Sequence, residues 1–464
     1  MIRPSVPLSV ALNRAPLDLF HLRVVLTVGM GFLTDAYDLF IVSAVLSLIR
    51  QELQPTATEV QLLSSTTLIA AFLGAVVCGW IADRVGRKAI YGVQALAMAI
   101  LALASALSPN ILILIILRFL LGLAVGGNYP VTAVLMSEYA NARDRGRLVG
   151  MVFAMQAVGL VAGPLITLLL LSTNLSYNLD WRILLALGAI PALIAFLLRR
   201  TLPESPRFIS RVKGDTARAA SEVQTYSHGH VNPSPANEGL RTRARLSQYL
   251  LPLIGTAGTW FVFDYAYYGN SISTPLILHQ VAPDASLMTS TFWTLMIFLV
   301  AAVPGYILAV NTMDRIGHRR LQWIGFLCMG LAFLAIGIFP GLTQTVVPFL
   351  LVYSTSYFFA EFGPNTTTFV LAAELFPVNI RATAHGIAAG IAKLGAFISV
   401  FLFQIIESQI GLSGALEVTC AFSIVGALLT LVLPEPAGKS LEEVSREDPV
   451  QTYAPVAQPQ PVHP

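Results

Sequence analysis

The chain has 464 residues, of which 55% are hydrophobic and only 11% charged. Its mean hydropathy of +0.72 excludes a water-soluble globule of this length, because such a protein must cover its surface with polar side chains. The net charge of only +3 gives no reason to expect a nucleic-acid partner. The composition therefore predicts a protein whose surroundings are the lipid bilayer.

Twelve apolar segments are long enough to cross a bilayer, which takes roughly 20 helical residues. In chain order they lie near 21–49, 60–82, 89–108, 111–137, 148–172, 183–200, 248–279, 288–311, 321–340, 345–373, 382–407 and 412–433. Several contain glycine, proline and isolated charges, which indicates helices that line a polar interior. The expected fold class is an all-α membrane protein with twelve transmembrane helices in two six-helix bundles.

The basic residues indicate the orientation, because Lys and Arg near helix ends are retained on the cytoplasmic side. Most of the 28 lie in alternate loops, including those from Arg199 to Arg245. Both termini are therefore expected in the cytoplasm, with the protein in the inner or plasma membrane. The predicted parts are a cytoplasmic N-terminal segment 1–20, a bundle 21–200, a cytoplasmic connector 201–247 with a short helix around 215–226, a bundle 248–434 and a disordered cytoplasmic tail 435–464.

The second half of the chain repeats motifs of the first. The segment DRVGRK at 83–88 recurs as DRIGHR at 314–319, and LPE at 202–204 recurs at 433–435. Two similar halves that each cross the bilayer repeatedly are typical of transporters in which one half rocks against the other around a central site.

The repeated charged residues all lie at predicted cytoplasmic helix ends, where carboxylates can cap neighbouring helices and arginines can bridge between them. We interpret them as a gate that holds the inner side shut when the outer side is open. A role in orientation alone would explain the arginines but not the regularly spaced acids. The predicted gate consists of Asp83, Arg84, Arg87, Glu138, Arg145, Glu204, Asp314, Arg315, Glu374 and Arg381.

Charged side chains inside the spans need a reason, because each costs at least about 2.5 kcal/mol at the bilayer centre. Asp35 and Asp38 are three residues apart and share one face of the first span. Two desolvated like charges raise the proton affinity of at least one of them, which suits a proton carrier. The alternative is that one acid caps a broken helix or pairs with Arg118, which we count with the two acids among the proton-coupling residues.

The seventh span carries Trp260, Asp264 and Tyr268 at positions i, i+4 and i+8, so the three side chains face the same way. An indole N–H, a phenol and a protonatable carboxylic acid form a donor-rich wall for a small oxyanion. Asp264 also matches Asp35 in the repeat. An aromatic packing stripe would explain the two rings but would leave Asp264 without a partner.

Three further residues complete the candidate site. Pro130 interrupts the fourth span and frees backbone groups beside Tyr129. Gln156 in the fifth span and Lys393 in the eleventh lie at nearly equivalent places in the two halves. Lys393 supplies the positive charge that an anion site needs; a structural salt bridge from Lys393 to Glu361 or to an aspartate is the alternative.

The DRxGRK loop, its repeat and PESPR at 203–207 resemble the major facilitator superfamily over residues 20–436. Within that superfamily six blocks look like the phosphate:proton symporters, namely GMGFLTDAYDLF (29–40), GGNYP (126–130), SEYA (137–140), WFVFDYAYYG (260–269), FGPNTTTF (362–369) and AELFPVNIRATAHG (373–386). The resemblance implies that Asp35 and Asp38 lie on the proton path. It implies phosphate ligands at Tyr129, Gln156, Trp260, Asp264, Tyr268 and Lys393.

The chain departs from the family pattern at two places. It has Asn128 where the family usually has aspartate in GGDYP, and Ala360 and Glu361 precede FGPN where the family usually has asparagine. One carboxylate is missing and another has appeared. We hypothesise that Glu361 takes over part of the proton traffic of the missing acid.

The predicted function is proton-coupled import of inorganic phosphate by alternating access, by a monomer that needs no cofactor or metal. A symporter for another oxyanion or small organic acid remains an alternative. So does an exchanger, since Gly159, Gly163 and Pro164 form part of a GxxxGP motif, although a helix contact explains them as well. The third alternative is a nutrient sensor that binds its ligand without net transport. We do not expect an enzyme, because no nucleophile–base pair, metal cluster or phosphate-cradling loop is present in the sequence.

Overall fold

The computed structural model describes residues 6–173, 175–227, 230–234 and 244–447. Across these ranges the chain is helical, and the single β contact is an isolated bridge between Val6 and Pro233. The first half forms six long helices. They are α1 (Leu19–Glu52), α2 (Ala57–Val85), α3 (Arg87–Ala106), α4 (Ile111–Tyr139), α5 (Arg145–Leu171) and α6 (Tyr177–Arg199).

The second half repeats this arrangement. Its helices are α7 (Leu250–Ile272), α8 (Leu287–Ile316), α9 (His318–Ile338), α10 (Val346–Glu374), and α11 and α12, which divide Arg381–Thr430 at Gly411. Gly411 has φ +72° and ψ 173°, a left-handed conformation that lets the chain reverse between α11 and α12. Each of the twelve predicted spans therefore corresponds to a helix, and the fold class is confirmed.

Helix ends follow local capping chemistry. The Thr56 hydroxyl accepts a hydrogen bond from the Glu59 N–H at 3.3 Å, and the Glu59 carboxylate accepts one from the Thr56 N–H at 2.9 Å, which starts α2. At the other end of α2, Gly86 at φ +117° turns the chain directly into α3. Gly317 at φ +98° makes the same turn between α8 and α9. The two copies of the DRxG motif thus form the same structure.

Helix α10 is not regular. A π-helical turn occupies Glu361–Asn365, around Pro364 and around Gly363 with φ −113° and ψ −105°. Turns of this kind often lie at functional sites, because they redirect side chains that a regular helix would place elsewhere. Here the turn directs both Glu361 and Asn365 into the protein interior, where they are 0% and 5% exposed.

The two bundles approach most closely where α2 packs against α11. A Cβ atom at Gly79 would lie 2.4 Å from the carbonyl oxygen of Ala382, and one at Gly386 would lie 2.3 Å from that of Ala75. Only glycine allows two backbones to come this close. The contact places the start of α11 against the end of α2, where the charged residues of the repeat lie.

Both described ends of the chain meet at one end of the molecule, which we call the terminal face; the other end is the opposite face. The terminal face consists of residues 6–18, 83–88, 139–147, 200–227, 314–320, 374–381 and 433–447. The connector contains the helix Thr216–Tyr226, which confirms the helix predicted there.

The predicted disorder of the tail is wrong for residues 435–447. This segment contains a short helix, Leu441–Val444, and the Tyr249 hydroxyl donates a hydrogen bond to the Ser445 carbonyl at 2.6 Å. The Pro- and Gln-rich composition that predicts disorder begins only after residue 447, but the predicted disorder was extended back to residue 435. The prediction missed that Glu442, buried in this segment, would pair with a basic residue of the connector. Residues 448–464, also predicted to be disordered, lie outside the described ranges.

Candidate functional site

Lys393 of α11 lies at the centre of the molecule, where the two bundles meet. Its Nζ donates to the Asp264 carboxylate at 2.8 Å and to the Tyr268 hydroxyl at 2.9 Å, both on α7. The first bundle contributes Tyr129, whose ring centroid is 4.8 Å from Nζ. Trp260 lies beside Tyr129, with a centroid distance of 6.0 Å. The structure thus brings five of the six predicted phosphate ligands into one cluster.

The ion pair of Lys393 with Asp264 is the salt bridge that the sequence left open as an alternative, with an aspartate rather than Glu361 as the partner. Lys393 and Asp264 are each 1% exposed. A buried pair of this kind compensates two charges whose separate burial would be costly. An arriving anion could bind the ammonium only if the carboxylate gave up its position or took a proton.

Aromatic side chains enclose the cluster on both sides. Towards the opposite face, Phe40 of α1 stacks on Tyr268 with a centroid distance of 5.7 Å. Towards the terminal face, Phe153 of α5 stacks on Phe369 of α10 at 4.4 Å. Each layer contains rings from both bundles. Movement of one bundle against the other would therefore open one layer or the other.

The two acids of α1 have different partners. The Asp35 carboxylate accepts a hydrogen bond from the Asn128 amide at 2.7 Å. Asp38 lies 3.9 Å from the Arg118 guanidinium, which also donates to the Asp38 carbonyl. The pairing of Asp38 with Arg118 agrees with the structural alternative for this acid. Asp35 is the acid without a direct cationic partner among the described residues.

Arg199 is a central residue, although the charge pattern grouped it with the basic residues of a cytoplasmic loop. It is the last residue of α6, only 2% exposed, and donates to the Asn128 side-chain oxygen at 2.7 Å. Its guanidinium also lies 4.2 Å from the Tyr91 ring. The adjacent Arg200 is exposed. Two consecutive arginines at the end of a span are typical of a helix end in the cytoplasm. The rotation of α6 about its axis decides that Arg199 points inward and Arg200 outward.

Glu361 lies in a second network. It accepts hydrogen bonds from the Tyr267 hydroxyl at 2.7 Å and from the Asn365 amide at 2.5 Å. Asn365 also donates to the Tyr306 hydroxyl at 2.9 Å, and Tyr306 donates to Gln156 at 3.2 Å. Gln156 therefore contacts the Glu361 network rather than Lys393. Within the described residues no basic side chain forms an ion pair with Glu361.

At the terminal face, each bundle caps a helix of the other. The Asp83 carboxylate accepts hydrogen bonds from the backbone N–H groups of Ala382 at 3.1 Å and Thr383 at 2.6 Å, at the start of α11. In the repeat, Asp314 accepts from the N–H of Arg147 at 2.8 Å, at the start of α5. Carboxylates at helix N-termini satisfy free N–H groups and interact favourably with the helix dipole.

Ion pairs between the bundles join these caps. Arg145 of the first bundle lies 2.7 Å from Glu374 of the second, and Arg381 of the second lies 3.1 Å from Glu138 of the first. Arg87 also pairs with Glu138, at 3.0 Å. All five side chains are at most 1% exposed. The terminal face is therefore closed by buried charged groups in direct contact with their partners.

Two predicted gate residues do not join this cluster. Arg84 stacks on Trp80, with its guanidinium 3.7 Å from the ring centroid, and Arg315 is exposed. Each follows its aspartate by one residue, which rotates the side chain by about 100° around the helix and away from the partner bundle. Glu204 lies at the edge of the cluster, where it accepts from the Lys88 N–H at 3.1 Å.

His318 belongs to this charged cluster, although the predicted gate did not include it. Its ring nitrogens lie 3.0 Å from Glu374 and 3.1 Å from Asp314. It occupies the position of Arg87 in the repeated motif. Alignment of the two motifs places His318 opposite Arg87 and would have identified it. The predicted gate included the arginine but not the histidine.

No group of three or more His, Cys, Asp or Glu side chains in the described part of the chain could hold a metal ion. Cys78, Cys328 and Cys420 are free. The polar residues at the centre can donate to an oxyanion and exchange protons.

Comparison with known proteins agrees with this architecture. Residues 24–447 match the family of sugar (and other) transporters. The chain is 34% identical to inorganic phosphate transporter 1-11 of Oryza sativa subsp. japonica, with 94% of this chain and 90% of that protein covered. It is 33% identical to low affinity inorganic phosphate transporter 1 of Petunia hybrida, with 94% and 95% covered.

Solved structures show the same fold at low identity. The proton:xylose symporter XylE of the major facilitator superfamily, bound to 6-bromo-6-deoxy-D-glucose, superposes with a TM-score of 0.79 at 20% identity, over 92% of this chain and 99% of that one. An inward-open conformation of XylE from E. coli gives a TM-score of 0.66 at 21% identity, over 92% and 99%.

Proposed function

The chain belongs to the sugar (and other) transporter family of the major facilitator superfamily, and we propose that it imports inorganic phosphate together with protons. The observation that carries the proposal is the buried Lys393, held between Asp264, Tyr268 and Tyr129 where the bundles meet. An ammonium surrounded by hydroxyl groups suits a small oxyanion. The printed names of the plant relatives support phosphate as that oxyanion.

In the proposed binding step, phosphate replaces Asp264 as the partner of Lys393. Protonation of Asp264 removes the negative charge that would repel the anion and frees the ammonium to bind it. The Tyr268 hydroxyl, 2.9 Å from Nζ, lies where it can donate to a phosphate oxygen. Trp260 and Tyr129 line the same space, whereas Gln156 reaches the anion only if it leaves Tyr306.

A count of charges supports a role for Glu361 in proton coupling. Among the described residues in the middle of the bundles, Arg118 pairs with Asp38 and Lys393 with Asp264, while Asn128 bridges Arg199 to Asp35. Three cations are thus matched with three acids. Glu361 is the fourth acid and has only neutral donors, so a buried negative charge there is costly unless it takes a proton. We assign one transported proton to it.

The concentration of basic residues supports a cytoplasmic location for the terminal face. In that orientation the ion pairs at Arg145 and Arg381 close the inner side. After phosphate and protons bind, the aromatic layer at Phe40 closes, the charged cluster separates and the site opens inwards. Loss of protons to the more alkaline interior restores the repulsion and releases phosphate.

Transport by the purified protein in lipid vesicles tests the proposal. With the outside more acidic than the inside, vesicles are expected to accumulate labelled phosphate, and a protonophore is expected to abolish the accumulation. Uptake that a protonophore leaves unchanged contradicts proton coupling.

The same vesicles distinguish the substrate. An excess of unlabelled phosphate should suppress the uptake, whereas sulfate and small carboxylates should compete weakly. Stronger competition by one of these would assign the site to that anion. Uptake that requires phosphate already inside the vesicles would identify an exchanger, and binding without uptake would identify a sensor.

A further inference from the structure

The opposite face contains two narrow clefts between the bundles. One has a volume of about 50 Å³ and is lined by residues of α1, α2 and α11, by the end of α7 and by the segment that follows α7, including Arg50, Ser273 and Gln404. The other has about 20 Å³, lies deeper and ends against Phe40. The two clefts share Ser43 and Ser47. Together they mark a route from the surface to the aromatic layer that covers Lys393.

The polar side chains of the first cleft differ in whether they already have hydrogen-bond partners. The hydroxyl groups of Ser43, Ser47 and Ser64 donate to backbone carbonyls of their own helices at 2.9 to 3.0 Å. The side chains of Arg50 and Gln404, by contrast, form no hydrogen bond or ion pair with any described residue. Arg50 comes from the first bundle and Gln404 from the second. The cleft therefore presents a free guanidinium and a free amide across the gap between the bundles.

Charge makes the position of Arg50 significant. Most ionisable side chains of the opposite face are acids, which repel an approaching anion. The other described arginine of this face, Arg182, donates to the carbonyls of Ala106 at 2.8 Å and Ser108 at 2.9 Å, away from the clefts. The acids are Glu52, Glu59, Asp180, Asp284, Glu407 and Glu417.

We infer that the cleft between Arg50 and Gln404 is an entry site, where a small oxyanion binds before it passes Phe40 to Lys393. The cleft has room for a few water molecules, so an anion can enter it partly hydrated. Binding there raises the local concentration of substrate beside the central site without contributing to the transport step itself. The inference rests on the proposed function, because it takes phosphate as the anion.

Kinetics of phosphate uptake in vesicles test the entry site through Arg50→Gln. At low ionic strength the KM for phosphate is expected to rise about fivefold to tenfold while kcat stays the same, because capture is weakened and the central site is intact. Added salt should raise the KM of the wild type but change that of Arg50→Gln little. Gln404→Leu should raise the KM by a smaller factor, since it removes a neutral donor.

Arg320→Gln is the matched control, because Arg320 is also an exposed arginine but lies on the terminal face. Its KM is expected to equal that of the wild type. An unchanged KM in Arg50→Gln, or an equal rise in both arginine variants, would overturn the entry site. Absence of phosphate uptake by the wild type would instead contradict the proposed function.

Discussion

The proposed anion site depends on Lys393, because no other ammonium among the described residues lies inside the bundles. In Lys393→Ala the anion loses its counter-charge and Asp264 loses the partner that compensates its burial. We expect accumulation of labelled phosphate to fall to background in this variant and in Asp264→Asn. Neither change makes α7 or α11 less apolar, so the loss should appear in transport rather than in membrane insertion.

Lys439→Ala is the control for the loss of a lysine, since the Lys439 side chain is exposed on the terminal face. It should transport as the wild type does. The elution of each variant in gel filtration checks that it is folded. Phosphate uptake at the wild-type rate by folded Lys393→Ala would contradict the central role of this residue.

Glu361 leads to a prediction about pH. If loading requires a proton on Glu361, uptake by the wild type falls as the external pH rises and that proton is lost. Glutamine imitates the protonated acid, so the rate of uptake by Glu361→Gln should fall less steeply with external pH, and the maximal accumulation should be lower. Initial rates of uptake at several external pH values measure the difference.

Glu417→Gln provides the comparison, because Glu417 is an exposed acid on α12. Its pH profile should match the wild type. Identical pH profiles for Glu361→Gln and the wild type would remove Glu361 from the proton path.

The sequence identified most central residues because an isolated charge in an apolar segment is conspicuous, as at Asp264 and Lys393. It missed residues whose role depends on the direction in which the helix points their side chains. Tyr306 joins Gln156 to the Glu361 network, but in the sequence it is one tyrosine among 14. Arg199 looked like a helix-end cation until the phase of α6 was known.

At the scale of helices, the repeated aspartates connect the bundles by capping. Asp83 holds the first turn of α11, and its counterpart Asp314 holds that of α5. A cap supplied by another bundle is lost whenever the bundles separate. The exposed N–H groups can then bond to water, so the closed arrangement is favoured only moderately, which is compatible with the predicted gate.

Removal of one cap should loosen the start of α11. In Asp83→Ala we expect faster hydrogen exchange at the backbone amides of Ala382 and Thr383, because a lost cap costs about 1 kcal/mol and raises the open fraction about fivefold. Hydrogen exchange followed by mass spectrometry can detect this change in peptides that cover 381–386.

Arg84→Ala tests whether the whole DRxG motif or only its aspartate matters. Arg84 stacks on Trp80 and does not reach the second bundle. Exchange at the start of α11 should therefore stay at the wild-type rate. Equal acceleration in Arg84→Ala and Asp83→Ala would show that the cap is not what holds this turn.

Hydropathy predicted the spanning helices well because each span must satisfy its backbone internally over the thickness of the bilayer. Hydropathy did not predict the irregular elements. The π turn at Glu361–Asn365 arises from packing around Gly363 and Pro364. The ordered segment 435–447 depends on ion pairs with residues more than 200 positions earlier in the sequence, which no local pattern shows.

At the scale of the whole molecule, the terminal face joins parts of the chain that are far apart in sequence. Glu442 in the tail accepts hydrogen bonds from Arg207 of the connector at 2.9 Å and from Asn13 before α1 at 3.0 Å. Arg211 of the connector pairs with Glu447 at 3.0 Å. The tail follows the last helix of the second bundle, so these contacts tie that bundle to the first across the closed face.

Because Glu442 is charged, the stability of these contacts between the tail and the first half depends on pH. Burial alone would raise the pKa of the Glu442 carboxyl, but the guanidinium groups of Arg207 and Arg211 lower that pKa below its usual range. A lowered pKa means that the stabilisation is complete above about pH 5 and declines as the pH falls below about 4.3, the ordinary pKa of glutamate.

Glu442→Gln should therefore lower the Tm of the detergent-solubilised protein at neutral pH, because removal of one partner from a buried ion pair costs about 3 kcal/mol. The difference in Tm from the wild type should shrink as the pH falls below about 4, where the wild type loses the same charge. Glu443→Gln, which changes the adjacent but exposed acid, should melt as the wild type does. A difference between Glu442→Gln and the wild type that persists undiminished at acidic pH would show that the carboxylate charge does not hold the terminal face together.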